Sequence, residues 1–119
     1  MEHKIGQILG LSEQCTLAKA PLYGIEMELE GRPYDACSRL RGWVVTDDGS
    51  LRNGVEYISA SPTPYTQARL YTSALYKSIA QQGLRGGPRC SMHLHANWSN
   101  RTLDELLVHL TLHTLIEPL

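Results

Sequence analysis

No two cysteines of this sequence stand at C-x-x-C spacing, and the three that occur, Cys15, Cys37 and Cys90, are odd in number. A disulfide framework is therefore not expected, and the reducing cytoplasm is the expected compartment. Long apolar runs are also lacking. Nothing approaches the ~20 residues that span a bilayer, and the opening MEHKIGQILGLSEQ has no signal-peptide cleavage pattern. Nor is there an excess of basic charge. With a formal net charge of -1 the chain offers no broad field for nucleic acid or an anionic membrane, so neither is expected as a partner. P-loop, G-x-S-x-G and G-x-G-x-x-G motifs, internal repeats and low-complexity segments do not occur.

What is present is a composition of 42% apolar and 19% charged residues over 119 positions, that of a globular chain able to bury a single core. We expect one domain over 1–119, with residues 1–21 as an irregular leader. LYGIEMELE alternates, with Ile25, Met27 and Leu29 on one side and Glu26, Glu28 and Glu30 on the other, as a half-buried strand does. A short strand is expected from Trp43 to Thr46, a turn at DDGS, a second turn at Asn53-Gly54, and a strand in VEYISASP that stops before Pro62. From Tyr65 to Gln82 the apolar spacing becomes helical through Ala68, Tyr71, Leu75 and Ile79, and Gly83 is the expected C-cap.

Alternation returns in RCSMHLHANW, where Cys90, Met92, Leu94 and Ala96 oppose Ser91, His93, His95 and Asn97. A second helix opens on the T-x-x-E capping box of Thr102 and Glu105, with Leu103, Leu106, Leu107 and Leu110 as its apolar face. Short turns between the first strands favour antiparallel pairing. The expected fold is α+β, an antiparallel sheet with two helices packed on one face.

If the strands share one sheet, Glu26, Glu28, His93 and His95 emerge together on its open face, while Glu56 belongs to a strand whose orientation the pattern leaves open. Carboxylates and imidazoles converging on a concave face are the chemistry of a divalent-metal site, because a cation relieves their mutual repulsion. Oxygen-rich ligation with one or two imidazoles favours Mg²⁺ or Mn²⁺ over a structural Zn²⁺. The competing reading of each element is plain: E-x-E on a strand is commonly a solvated face, H-x-H exposed polar filler, and DGS only a turn. His109 and His113, at i and i+4 on the second helix, form a rival pair, but without the Glu of HExxH. Cys90 is expected on the core side of its strand, and RGGPR reads as a flexible loop.

GIEMELEG, WVVTDDGSLRNGVEYIS and SMHLHANWS, in that order, resemble the amidoligase family of the carboxylate–amine ligase and glutamine synthetase-like superfamily, a family common in phage genomes. The resemblance runs from Tyr23 to Asn97 and implies the metal- and nucleotide-binding half of such a domain, on a curved antiparallel sheet. It implies ATP-dependent condensation of a small-molecule or peptide carboxylate with an amine through an acyl phosphate. Mg²⁺ or Mn²⁺ and ATP are the implied cofactors. By the same correspondence Glu26, Glu28, Glu56 and His93 match metal ligands, His95 and Arg52 match groups near the nucleotide, and Asp48 and Ser50 match the substrate-positioning turn. Members of the family continue past the second helix with further strands. Half of the family's site is then expected to be missing here, which leaves three readings open: a truncated sequence, a degenerate relic, or a half-site completed by a second copy in a homo-oligomer or by another chain. Two other functions fit the same residues: a non-catalytic module that binds metal or a partner, and a metal-dependent hydrolase.

Overall fold

The computed structural model describes residues 3–11 and 21–116, which divide into two compact units, one formed by residues 22–96 and the other by the segments on either side of it. Cys15 lies outside the described residues.

The 22–96 unit is an antiparallel sheet that curls into a half-barrel. Its strands are β1 (Leu22–Glu30), β2 (Trp43–Asp47), β3 (Gly54–Ser59), β4 (Thr63–Pro64) and β5 (Met92–Ala96). β1 lies at the centre. Along one side it pairs with β3, Glu26 opposite Ile58 and Glu28 opposite Glu56, and at its start with β4, Leu22 opposite Pro64. Along the other side it pairs with β5, Ile25 opposite Leu94 and Glu26 opposite His93. β2 completes the far side of β3, with Thr46 opposite Glu56.

The alternation of β1 sends Leu29 into the core, with Ile25 and Met27 partly buried beside it. Val55 and Tyr57 of β3 are wholly buried on the same side, which resolves the ambiguous strand: Glu56 and Ile58 face the other way. Asp48 to Asn53 form a single connection between β2 and β3 rather than two turns, since Gly54 already opens β3. Asn53 there takes the left-handed conformation, at φ 49°, which asparagine tolerates better than most side chains.

A helix, α2, covers the apolar side over Tyr65–Gln82 and is closed by Gly83 in the left-handed conformation, at φ 70°. Within the leader lies α1, a single turn over Ile5–Ile8, so the helix after β4 takes the second label and that after β5 the third, α3 (Leu103–Ile116). Leu75 of α2 is fully buried, and Tyr71 and Ile79 pack against the cluster it joins. The Trp43 indole donates to the Tyr71 carbonyl at 3.0 Å, which ties β2 to this helix. Gly42 lies where the chain turns into β2, at φ 85°, and a Cβ there would enter the Tyr71 ring. Polar groups in the core are paired: the Tyr57 hydroxyl donates to the Ser38 carbonyl at 3.0 Å, and the Gln82 amide donates to Ser78 Oγ at 2.8 Å.

In the second unit the expected capping box is present. The Glu105 amide donates to Thr102 Oγ1, and the Thr102 amide to Glu105 Oε2, at 3.2 and 2.9 Å. The leader is tied to this unit through α1, whose Ile5 and Gly6 amides donate to the carbonyls of Arg101 and Ser99.

Of the two helices expected on one face of the sheet, α2 is found there; α3 belongs to the other unit, and none of its described side chains is buried. Its residues are apolar almost all round, so no single stripe selects a packing face. Within the 22–96 unit, no described element covers the β5 half of the apolar face. Met92 and Leu94 point to the α2 side but are 66% and 65% exposed. Leu94 borders an open groove of about 640 Å³ between α2 and β5, lined also by Tyr23, Ile25, Tyr65 and Tyr76. No helix among the described residues is long and apolar enough to cross a membrane.

Candidate functional site

The opposite face of the sheet gathers the polar residues. Two rows cross it, set by register: Thr46, Glu56 and Glu28 in one, Val44, Ile58, Glu26 and His93 in the other. Glu26 is the hub. Its Oε2 lies 3.1 Å from His93 Nδ1 and its Oε1 3.2 Å from His95 Nε2, so one carboxylate bridges both imidazoles of the H-x-H strand. Its pKa is lowered, chiefly by the hydrogen bond from His93 and against a smaller desolvation effect. His93 turns its other nitrogen to Ser91 Oγ at 3.3 Å.

Ser91 also donates its backbone amide to Glu28 Oε2 at 2.8 Å, and accepts the Glu28 amide through its carbonyl at 3.0 Å. This residue links Glu28 to His93 and had no assigned role in the sequence. Its place in the Ser91, His93, His95 alternation was the available signal, and only the cross-strand contact gives it meaning. Glu30, third in the glutamate series, accepts the Arg52 amide at 3.0 Å and stands apart from the imidazoles.

Glu56 carries the strongest sign of crowded charge. Burial is the first cause of its raised pKa, and the negative charges of Glu26, Asp48 and Glu28 follow in that order. A carboxyl so placed gains from any cation that enters the face. Asp48 itself is held below the usual carboxylate range by Ser50, whose hydroxyl and amide both donate to Oδ1, at 2.7 and 2.9 Å. Asp48 and Ser50 thus form one closed turn, and with Tyr34, Asp35 and Asp47 the turn borders a depression of about 400 Å³. The Arg52 backbone belongs to the neighbouring contact with Glu30, on the rim of the same connection.

The structure therefore brings Glu26, His93 and His95 into direct contact, places Glu28 and Glu56 opposite one another beside them, and sets the Asp48–Ser50 turn within electrostatic reach of Glu56. Among the described residues, no group of three or more His, Cys, Asp or Glu side chains is arranged to hold a metal ion. Glu26 instead spends both carboxylate oxygens on imidazoles. The rival pair on α3 meets edge to face, with the His109 ring 5.0 Å from that of His113 and 4.5 Å from the tilted ring of Trp98. Cys90 lies in the turn before β5 and is partly exposed, and Cys37 is buried, with its thiol pKa raised by desolvation.

Comparison of the chain with protein-family models, with curated proteins and with solved structures gives no match.

Proposed function

We propose that this chain is the metal- and nucleotide-binding part of an ATP-dependent carboxylate–amine ligase that acts through an acyl phosphate in the cytoplasm, on a glutamine synthetase-like sheet. The observation that carries the reading is the convergence of Glu26, Glu28, Glu56, His93 and His95 from three strands on one open sheet face. The donor set fits Mg²⁺ or Mn²⁺: three carboxylates, two of them opposite one another, and two imidazoles, with no sulfur on that face. A divalent cation held by Glu28, Glu56, Glu26 and His93 would neutralise charge on the phosphates of ATP.

The chain's own residues divide the remaining work. Glu26 orients His93 and His95 by accepting from both, and a cation bound at the second nitrogen of His93 would displace the Ser91 hydroxyl from it. His95 and Arg52 are the groups assigned to the nucleotide. Asp48, held ionised at neutral pH by its two bonds from Ser50, suits an amine-bearing substrate better than a carboxylate, because the adjoining depression also contains Asp35 and Asp47.

Calorimetric titration with Mn²⁺, with and without a non-hydrolysable ATP analogue, tests the reading. Metal-dependent nucleotide binding is expected in the native chain and is lost in Glu28→Ala; absence of binding in the native chain sinks the proposal. A second reading, a non-catalytic module that binds metal or a partner, is favoured by one observation: Glu26 is already satisfied by two imidazoles. On that reading no ADP forms from ATP with any carboxylate and amine supplied, and partner binding survives both Glu28→Ala and His93→Ala.

A further inference from the structure

β5 is an edge strand, and the phase of its ladder shows which of its backbone groups look outward. The Glu28 amide donates to the Ser91 carbonyl, so residues 91, 93 and 95 turn their backbone groups toward β1 and residues 92, 94 and 96 turn theirs away. Among the described residues, β5 pairs with no strand but β1. All five of its residues are exposed. The other edge is treated differently: on β2 the Val45 carbonyl accepts from Arg39 Nη1 at 3.4 Å. Met-His-Leu-His-Ala contains no lysine, proline or inward charge of the kind that blunts a free edge.

The segment is also symmetric in kind about Leu94: apolar, histidine, apolar, histidine, apolar. We infer that β5 is a two-fold pairing edge whose occupant is β5 of a second copy of this chain, antiparallel and centred on Leu94. An extended segment of unrelated sequence would match the edge hydrogen bonds, whereas a second β5 matches them and also sets apolar side chains against apolar and histidine against histidine under a two-fold axis. In that register Leu94 faces Leu94, and Met92 faces Ala96, as hydrogen-bonded pairs, giving about six backbone hydrogen bonds. His93 lies opposite His95 of the second copy as a non-hydrogen-bonded pair, with Cα atoms roughly 4.5 Å apart. The imidazoles of both copies then line one continuous polar face, so each site gains a histidine it does not itself supply. On the reverse side the two Leu94 side chains meet over the ends of the two apolar grooves. The inference stands on the ladder and the sequence symmetry and does not depend on the ligase reading.

Sedimentation velocity of the full chain from 1 to ~200 µM tests it, with Leu94→Pro and Leu94→Val beside the native protein. Proline at 94 removes only an outward amide, so the β1–β5 ladder is kept. The expected result is a concentration-dependent doubling of mass in the native chain and in Leu94→Val, and a monomer in Leu94→Pro. Hydrogen exchange guards against a variant that fails to fold: in the native chain the amides of Met92, Leu94 and Ala96 should exchange at least tenfold more slowly at the high concentration, with those of His93 and His95 unchanged. A native chain that stays monomeric throughout, a dimer that survives Leu94→Pro in a folded variant, or edge amides indifferent to concentration overturns the inference.

Discussion

Glu26 holds two imidazoles with one carboxylate, and its own proton equilibrium reports the arrangement. Because its pKa is lowered on folding, its ionised form stabilises the fold at neutral pH, and that contribution is lost as pH falls through the folded value. We expect the Glu26 carboxyl, followed by NMR, to titrate below the usual glutamate range, and to move up toward it in His93→Ala. An unmoved midpoint would show that the His93 contact does not persist in solution. Glu56 has the opposite sign. Its pKa is raised by burial and by neighbouring carboxylates, so the metal-free fold loses stability as pH rises from the ordinary glutamate value through the folded one. Glu56→Gln, isosteric and uncharged, should therefore raise the thermal midpoint of the metal-free chain near pH 7, because it relieves both the burial of the charge and its repulsion by neighbouring carboxylates. Added Mn²⁺ should narrow that difference if the face binds the cation. At this scale alternation made much of the site legible, since period two commits every second side chain to one face. It could not orient Glu56, because Ile58 on its side and Ser59 on the other blur the pattern. Ser91 stayed silent because a serine acquires its role only from the strand placed opposite.

α2 was readable from end to end, from the helical spacing of Tyr71, Leu75 and Ile79 to the glycine that closes it. Those are local signals, and the packing agrees with them. Leu75 sits at 0% exposure between the helix and the sheet, and Leu75→Ala should cost about 3 kcal/mol in urea unfolding, with little change in slope. Gly42→Ala is expected to be comparably damaging for a different reason. It combines a φ of 85° with the Tyr71 ring in the space of the new methyl, so Tyr71→Ala in the same chain should recover the steric part but not the backbone part. A recovery to the level of Tyr71→Ala alone would show that backbone conformation contributes nothing. The elements that escaped the sequence are those with no local signature. β4 is two residues long and contains Pro64, a residue that argues against a strand except at an edge. α1 is a single turn, held by the carbonyls of Ser99 and Arg101, far along the chain.

Among the described residues, every member of the hydrophobic core, from Leu29 to Leu84, and every partly buried residue packed on it lies between positions 22 and 96. The sheet hydrogen bonds and the proposed site lie there as well. α3 presents the reverse case: Leu103, Leu107, Val108, Leu110, Leu112, Leu115 and Ile116 are all at least half exposed, an apolar surface of the kind that soluble chains rarely leave bare. Composition foretold a single core but could not foretell which stretch supplies it, because α3 is as apolar as any core helix and yet none of its described side chains is buried. A fragment of residues 22–96 should therefore fold without the flanking segments. At about 75 residues it is near the size where one core supplies only ~3–5 kcal/mol, so its unfolding should be cooperative but easily reached in urea. Its sole tryptophan, Trp43, is buried and bonded to Tyr71, which makes the indole emission a direct probe: blue-shifted when folded, red-shifted in a single sigmoidal step. The same fragment should bind less of the dye ANS than the full chain, since it lacks the bare leucines of α3. Red-shifted emission without a transition would mean that the 22–96 core is not self-sufficient, and that α3 stabilises it despite burying no side chain of its own.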